Sequence, residues 1–368
     1  MIRLLGPADP ALAALKRHLA AQAAPLAELE LTDWDAYRPR LDAVLHGTEP
    51  SFDAVAVPGH LWLPELVEAG LLAALDEGAV RRGVVPSLAV DCRYLDRDYV
   101  LPLFTDGHIL VVRQDVASAP ADPPDMREVL ALAGAAHRPP DVYGIALKAH
   151  PSEIFLDWLP YYRTVGGAIA ERGGRLGIDE GAALAALELY REMAGYAPPD
   201  VAGYGNEEVA GALRSRKVAM AVTWGGQAAA VYAGASAGAL TATALQHAWN
   251  GTWGLALPAG LPPGRRGTVL GTLRSVLSEA LDRVVLDEAG SPVLEGTYRA
   301  ALANGAGAAG SHPWLAAQRA MLARACPLPA SPALGSLLGI MTEALTAGFR
   351  GDTPPTRAIA EASLRLSR

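Results

Sequence analysis

The run Ala212–Gln227, ALRSRKVAMAVTWGGQ, decides how this chain is read. A basic turn at Arg214 to Lys217 leads into the apolar residues Val218 to Val222, which stop abruptly at Thr223-Trp224-Gly225-Gly226. So short an apolar run between turn signals fits a buried strand of a parallel sheet better than a helix, which needs about twice the length. The strand carries an indole to its tip, and open α/β sheets bind ligands in the crevice at the carboxyl ends of their strands. A tryptophan packed in the core would satisfy the same pattern.

Working outward, the N-terminal residues repeat this grammar. Ile2 to Leu5 reads as a strand, Pro10 to Ala24 as an amphipathic helix, and Leu26 to Leu31 as a second strand ending at Thr32-Asp33-Trp34-Asp35. A helix from about Ala36 to Leu45 precedes a third strand, Phe52 to Val57, followed by a loop Pro58-Gly59-His60-Leu61-Trp62 and a short helix, Leu63 to Ala69. Strand and helix in alternation predict an α/β fold with parallel sheets. Its strand-end loops would carry Trp34, Asp35, His60 and Trp62 on one rim. Tyr99 to Phe104 and His108 to Arg113 read as two strands joined by a turn at Thr105-Asp106-Gly107, which places Asp106 in that turn. The proline-rich Ala119 to Pro124 marks a composition break near the start of a second domain. Beyond it come a helix from Asp125 to Ala136, a strand from Val142 to Ala146, and an aromatic helix face, Phe155 to Tyr162, that includes Trp158. Asp179 N-caps a periodic helix to Ala194, and another helix covers Asn206 to Leu213. Gly225 to Ala244 resists assignment. Thr252 to Leu257 reads as a strand, Thr268 to Leu281 as a helix, and the remainder as largely helical.

Composition bounds the function. The 368 residues suggest two domains, and 51% hydrophobic residues suffice for two cores. A net charge of -8 argues against a nucleic-acid partner, whose phosphates require a basic face. Cys92 and Cys326 lack the spacing of a zinc site or a disulfide framework, and the histidines form no pair at metal-ligand spacing, so neither metal nor cofactor is expected. Met1 runs straight into the strand-like Ile2-Arg3-Leu4-Leu5, with no export signal visible. The protein is therefore expected either to stay inside the cell or to have had its signal removed.

Two motifs tempt. Gly305-Ala306-Gly307-Ala308-Ala309-Gly310 matches the dinucleotide-binding pattern, but a helix precedes it and no acidic residue stands at the required distance. Gly234-Ala235-Ser236-Ala237-Gly238 matches the nucleophile elbow, and the order Ser236, Asp287, His312 repeats that of α/β-hydrolases. A serine hydrolase is thus the alternative from a different class, although Ala228 to Ala233 makes a poor strand to carry an elbow.

The tryptophans Trp34, Trp62, Trp224, Trp249 and Trp253 all fall at or beside expected strand ends. Sugars account for such placement, because a pyranose offers apolar C–H faces to indoles while its hydroxyls need directional partners. Asp35, Asp106, Gln227 and His60 are the polar groups nearest to hand, beside Gly225 in the turn after Trp224.

The order of these segments resembles bacterial extracellular solute-binding proteins of the carbohydrate, maltose-binding class. Val55 to Leu75, VAVPGHLWLPELVEAGLLAAL, is similar to the third-strand region of that family. Tyr99 to Arg113 resembles its crossing between lobes, and Ala212 to Met220 with Trp224 resembles its "f..GkaAM...W" element. Leu334 to Leu366 is similar to its C-terminal helix pair. This sequence departs from the family in having Ser215 for a glycine and Val111-Val112 for an aromatic pair. The resemblance implies a two-lobe periplasmic-binding-protein-like fold of type II, each lobe a mainly parallel sheet flanked by helices and joined by hinge strands. Lobe 1 would be residues 1–114 plus 252–298, and lobe 2 residues 115–251 plus 299–368. It further implies a monomeric, extracytoplasmic, non-enzymatic protein that holds a carbohydrate or polyol between its lobes for the membrane permease of an ABC importer. An intracellular sensor built on the same lobes is the remaining alternative. Trp224 and Trp62 are then the expected stacking platforms, with Trp34 beside them and Trp158 a weaker candidate, and Asp35, Asp106 and His60 the hydroxyl partners.

Overall fold

Val218–Trp224 is a strand whose residues are all buried except the last. Its two edges are paired by Tyr143–Ala146, running parallel on one side, and His108 to Arg113, antiparallel on the other, and its apolar side chains are covered by packed helices, Asn206–Arg214 among them. A computed structural model describes residues 1–76, 78–80, 83–236, 238–303 and 312–368 of the chain. These divide into two compact units, Met1–Asp106 with Gly251–Asn304, and Gly107–Asn250 with Gly305–Arg368.

The sheet of the first unit runs in the order Ala27–Thr32, Ile2–Pro7, Ala54–Pro58, Asn250–Pro258. The first three are parallel, as strand-helix alternation predicts, and the returning Asn250–Pro258 is antiparallel to Ala54–Pro58. Leu4, Leu5, Val55, Val57 and Leu255 are completely buried in its core. Asp9 caps the helix Pro10–Ala20 by accepting from Ala11 N at 2.8 Å.

In the second unit the order is Leu240–Ala244, then His108 to Arg113 of the strand Val100–Arg113, then Val218–Trp224, then Tyr143–Ala146. Only the last pairing is parallel, so this sheet is mixed. Helices Ile154–Thr164, Glu180–Ala194, Leu334–Arg350 and Pro355–Ser367 pack against one another in this unit. Asp125 and Glu128 form a reciprocal capping box on Met126–Ala136, and Asp179 caps Glu180–Ala194 as expected.

Three local expectations are corrected. Thr105-Asp106-Gly107 is no turn: Val100–Arg113 is one unbroken strand of 14 buried residues, and Asp106 lies within it. Gly107 is there for space, since a Cβ on it would stand 2.5 Å from Met321 Cε and 2.6 Å from the Trp249 carbonyl oxygen. His60 and Trp62 are on a helix, Gly59–Glu68, which starts directly after the strand because Gly59 lets its backbone pack on Asp91. The long helix expected to reach Leu281 ends at Val276, and Ser278 caps a new one, Glu279–Glu288. In keeping with the poor strand expected of Ala228 to Ala233, the residues before Ser236 form a short helix, Ala228–Tyr232, and the strand that an elbow needs to strain its serine is missing. The segment Gly225 to Ala244, unassigned from sequence, resolves into that helix and the strand Leu240–Ala244. The glycine-rich Gly305 to Gly310 lies outside the described residues.

Candidate functional site

In the second unit the antiparallel register sets Trp224 opposite His108, and so places both side chains on one face of the sheet. Trp224 is partly exposed, whereas what lies against it is buried. The Lys148 ammonium sits 3.8 Å from the centroid of its ring, and Trp249, 1% exposed, meets it edge-on at 5.6 Å. Lys148 is itself fully buried just past the strand Tyr143–Ala146. One indole face is therefore occupied from within the protein.

His108 Nε2 is 3.0 Å from Asp157 Oδ1, on the helix Ile154–Thr164, and 3.3 Å from Trp224 Nε1. One nitrogen cannot donate to the carboxylate and also accept from the indole. His108 Nδ1 has no hydrogen-bond partner and is buried, so placing the only proton there would strand a donor. The proton therefore belongs on Nε2, donated to Asp157, and the indole approach is a contact of second rank. Burial holds His108 below its ordinary pKa despite Asp157, which keeps the ring neutral. Asp157 Oδ2 also accepts from the Lys148 backbone N–H at 3.1 Å and from the Tyr190 hydroxyl at 3.3 Å. The result is a stiff base under a single half-open indole.

Gly225 is buried in the tight turn after Trp224, and Gln227 is partly exposed at its end. Trp158 is fully buried, stacked on Tyr162 at 4.5 Å. The aromatic face of its helix thus points into the core of the unit.

In the first unit Trp34 and Trp62 come together around Trp253. Trp34 lies 5.5 Å from Trp253 and Trp62 lies 6.0 Å from it, while Phe104 stacks on Trp253 at 5.8 Å. Trp253 is only 5% exposed and acts as the packed hub, but Trp34 is 44% exposed at the start of the helix Trp34–Leu45. Exposed carboxylates at Asp33 and Asp35 flank it. Trp62 is partly exposed and carries the Arg38 guanidinium 4.8 Å from its ring centroid. Arg38 is in turn held by Asp42 and Glu65.

His60 and Asp106 are both buried. His60 Nδ1 donates to the Thr252 carbonyl at 3.4 Å, and burial pushes its pKa down to about 4, so it is neutral. Thr252 Oγ1 donates to Asp91 Oδ2 at 2.9 Å. Asn250-Gly251-Thr252 has the form of an N-glycosylation triplet, but Asn250 is buried. Ser236 is exposed. Among the described residues no cluster of His, Cys, Asp and Glu could hold a metal. Sequence reasoning missed Lys148, His108 and Asp157. Only the strand register and the helix that crosses behind the sheet bring them under Trp224, and no motif marks them.

The model of the family described as bacterial extracellular solute-binding protein matches residues 27–263. No curated protein matches the sequence. Maltose-bound MalE3 of T. maritima aligns over 100% of this chain and 98% of its own, with a TM-score of 0.85 and 19% identity. An ABC transporter solute-binding protein from Agrobacterium radiobacter, in complex with ribitol, aligns over 99% of this chain and 97% of its own at TM-score 0.85 and 19% identity. The maltose/maltodextrin-binding domain MalE of Bdellovibrio bacteriovorus, bound to maltotriose, covers 100% and 98% at TM-score 0.77 and 14% identity. At such identities the likeness shows the fold.

Proposed function

Because this chain belongs to the family of bacterial extracellular solute-binding proteins, we propose that it captures a carbohydrate or polyol and hands it to the membrane permease of an ABC importer. The observation that carries the reading is Trp224, a partly exposed indole at a strand end, held rigid by Lys148 and Trp249 with one face to spare. A fixed apolar plane beside polar side chains suits a ring that is apolar on its faces and hydroxylated at its rim. Gln227 is assigned as a hydroxyl partner near Trp224. Trp34 with Asp35, and Trp62, supply the same pairing of plane and polar group in the first unit. Proteins of this fold hold maltose, ribitol and maltotriose, which supports the ligand class.

Recognition of this kind breaks no bond, and the protein acts as a monomeric carrier outside the cytoplasm. Among the described residues no helix is long and apolar enough to cross a membrane. A thermal-shift screen tests the reading, using maltose, maltotriose, ribitol, mannitol and common monosaccharides. A ligand that binds only the folded state raises stability by about 2.7 kcal/mol at a hundredfold excess over Kd. At least one member is expected to raise the melting temperature. A panel without any shift, together with turnover of an ester substrate that Ser236→Ala abolishes, would transfer the function to hydrolysis.

A further inference from the structure

Resting on the carbohydrate reading above, we propose that Arg38 is a specificity-determining residue of the first unit, whose Nη1 donates to a hydroxyl of a neutral sugar or polyol seated against Trp34. Trp34 and Arg38 stand four residues apart on the helix Trp34–Leu45 and so share a face. That helix starts just past the strand Ala27–Thr32, and Gly59–Glu68, which carries Trp62, starts directly after Ala54–Pro58. Both helix starts therefore lie at the carboxyl ends of parallel strands, where open α/β sheets hold ligands. Among the described residues Trp34 is the only aromatic side chain that stands exposed, and packing gives its outer surface no role.

The guanidinium is held in place. Arg38 Nε lies 3.1 Å from each carboxylate oxygen of Asp42, Nη2 donates to Glu65 Oε1 at 2.7 Å, and Cζ sits 4.8 Å from the centroid of the Trp62 ring. Asp42 belongs to the same helix and Glu65 to Gly59–Glu68, so the group is anchored from two elements. Bridging those helices uses only Nε and Nη2. Nη1 has no partner among the described residues and is not a buried atom, and the side chain keeps 29% of its surface exposed. The two carboxylates offset the charge of Arg38, so what it offers a ligand is direction: N–H groups in the plane of an anchored guanidinium. Asp35, exposed beside Trp34, supplies an acceptor. An indole plane with an anchored donor and a nearby acceptor matches a polyhydroxyl ligand, whose hydroxyls both accept and donate.

Calorimetric titrations test the inference with the tightest binder of the panel above, be it maltose, maltotriose, ribitol, mannitol or a monosaccharide, and with its monodeoxy counterparts. Arg38→Met keeps an unbranched stem over Trp62 and is expected to weaken the parent ligand about tenfold or more, as loss of a hydrogen bond from a charged group does. In the wild type, one deoxy compound is expected to bind about tenfold more weakly than the parent, and in Arg38→Met that compound and the parent should bind within twofold of each other. A residue that acts only through packing weakens every analogue alike and leaves the deoxy penalties as they were, and that result overturns the proposal. So does an Arg38→Met variant that binds the parent within twofold of wild type, and in that case the carbohydrate reading survives alone. Equal binding of the parent and all its deoxy counterparts by the wild type, which needs no variant to fold, overturns it as well. If no sugar or polyol binds, the carbohydrate reading falls and the role of Arg38 falls with it.

Discussion

Replacing Trp224 by alanine removes the plane on which we expect a sugar to stack, and the structure sets the size of the loss. Lys148 covers one face of the indole and Trp249 meets it edge-on, so a ligand can use only the remaining face. Covering roughly 60 Å² of apolar surface there is worth about 1.5 kcal/mol at about 25 cal/mol per Å². Ring-specific contact adds about 0.5 to 1.5 kcal/mol. Affinity for the tightest sugar of the screen should therefore fall by roughly 30- to 150-fold in isothermal titration. Trp224→Phe keeps part of the plane and should fall in between. The alanine variant also loses the edge-on contact and the cation–π contact, which lowers the melting temperature by about 1 to 4 °C for a chain of this size. Stability and affinity must be read separately. If Trp224→Ala melts lower but binds within twofold of wild type, Trp224 is a packing residue and the reasoning fails.

Two further outcomes follow from the first unit. Burial pushes the Asp91 carboxyl up to about 7, above the unfolded carboxylate value, so the folded state holds the extra proton. Stability should then decline as pH rises from about 4 to about 7. His60, depressed to about 4, acts with the opposite sign, its contribution lost as pH falls from its ordinary 6.5. Asp9, raised to about 6, has largely titrated by pH 6.5. Asp91 by itself lowers stability by about 1 kcal/mol between pH 6 and pH 8, while the depressed His60 and His108 act the other way over that range. Chemical denaturation of wild type and Asp91→Asn at both pH values checks it: relative to the variant, the wild type should lose about 1 kcal/mol on going to pH 8, and the same pH dependence in both removes Asp91 as a cause. Gly59→Ala would set a Cβ 1.8 Å from the Asp91 carbonyl oxygen, which is backbone and cannot swing aside. We expect a loss of about 3 kcal/mol or more in the same assay, and a loss below about 0.5 kcal/mol would show that the approach relaxes freely.

Much of the fold was legible because local chemistry and tertiary context agree. The apolar run Val218 to Val222, the Asp179 cap and the parallel order of the first three strands all rest on signals carried by neighbouring residues. Where the two disagree, the sequence misleads. Thr105-Asp106-Gly107 has turn chemistry, yet the hydrogen bonds of a long strand override it and Gly107 serves the close approach of Met321. The break at Leu277-Ser278 was missed because the surrounding residues keep helical character on both sides of it.

The candidate site divides in the same way. By itself the sequence determined the alternation of strand and helix, the strand that ends in Trp224, and an unusual number of indoles at strand ends. These follow from periodicity and turn residues, which act over a few positions. Only the tertiary structure decided which indoles stay open to solvent. Trp249 and Trp253 are packed hubs, Trp158 is core, and Trp34, Trp62 and Trp224 keep exposed surface. It also placed Lys148 and the His108–Asp157 pair behind Trp224. Exposure and the charge behind a ring depend on side chains brought from distant positions by strand register, and no local pattern in the chain encodes them.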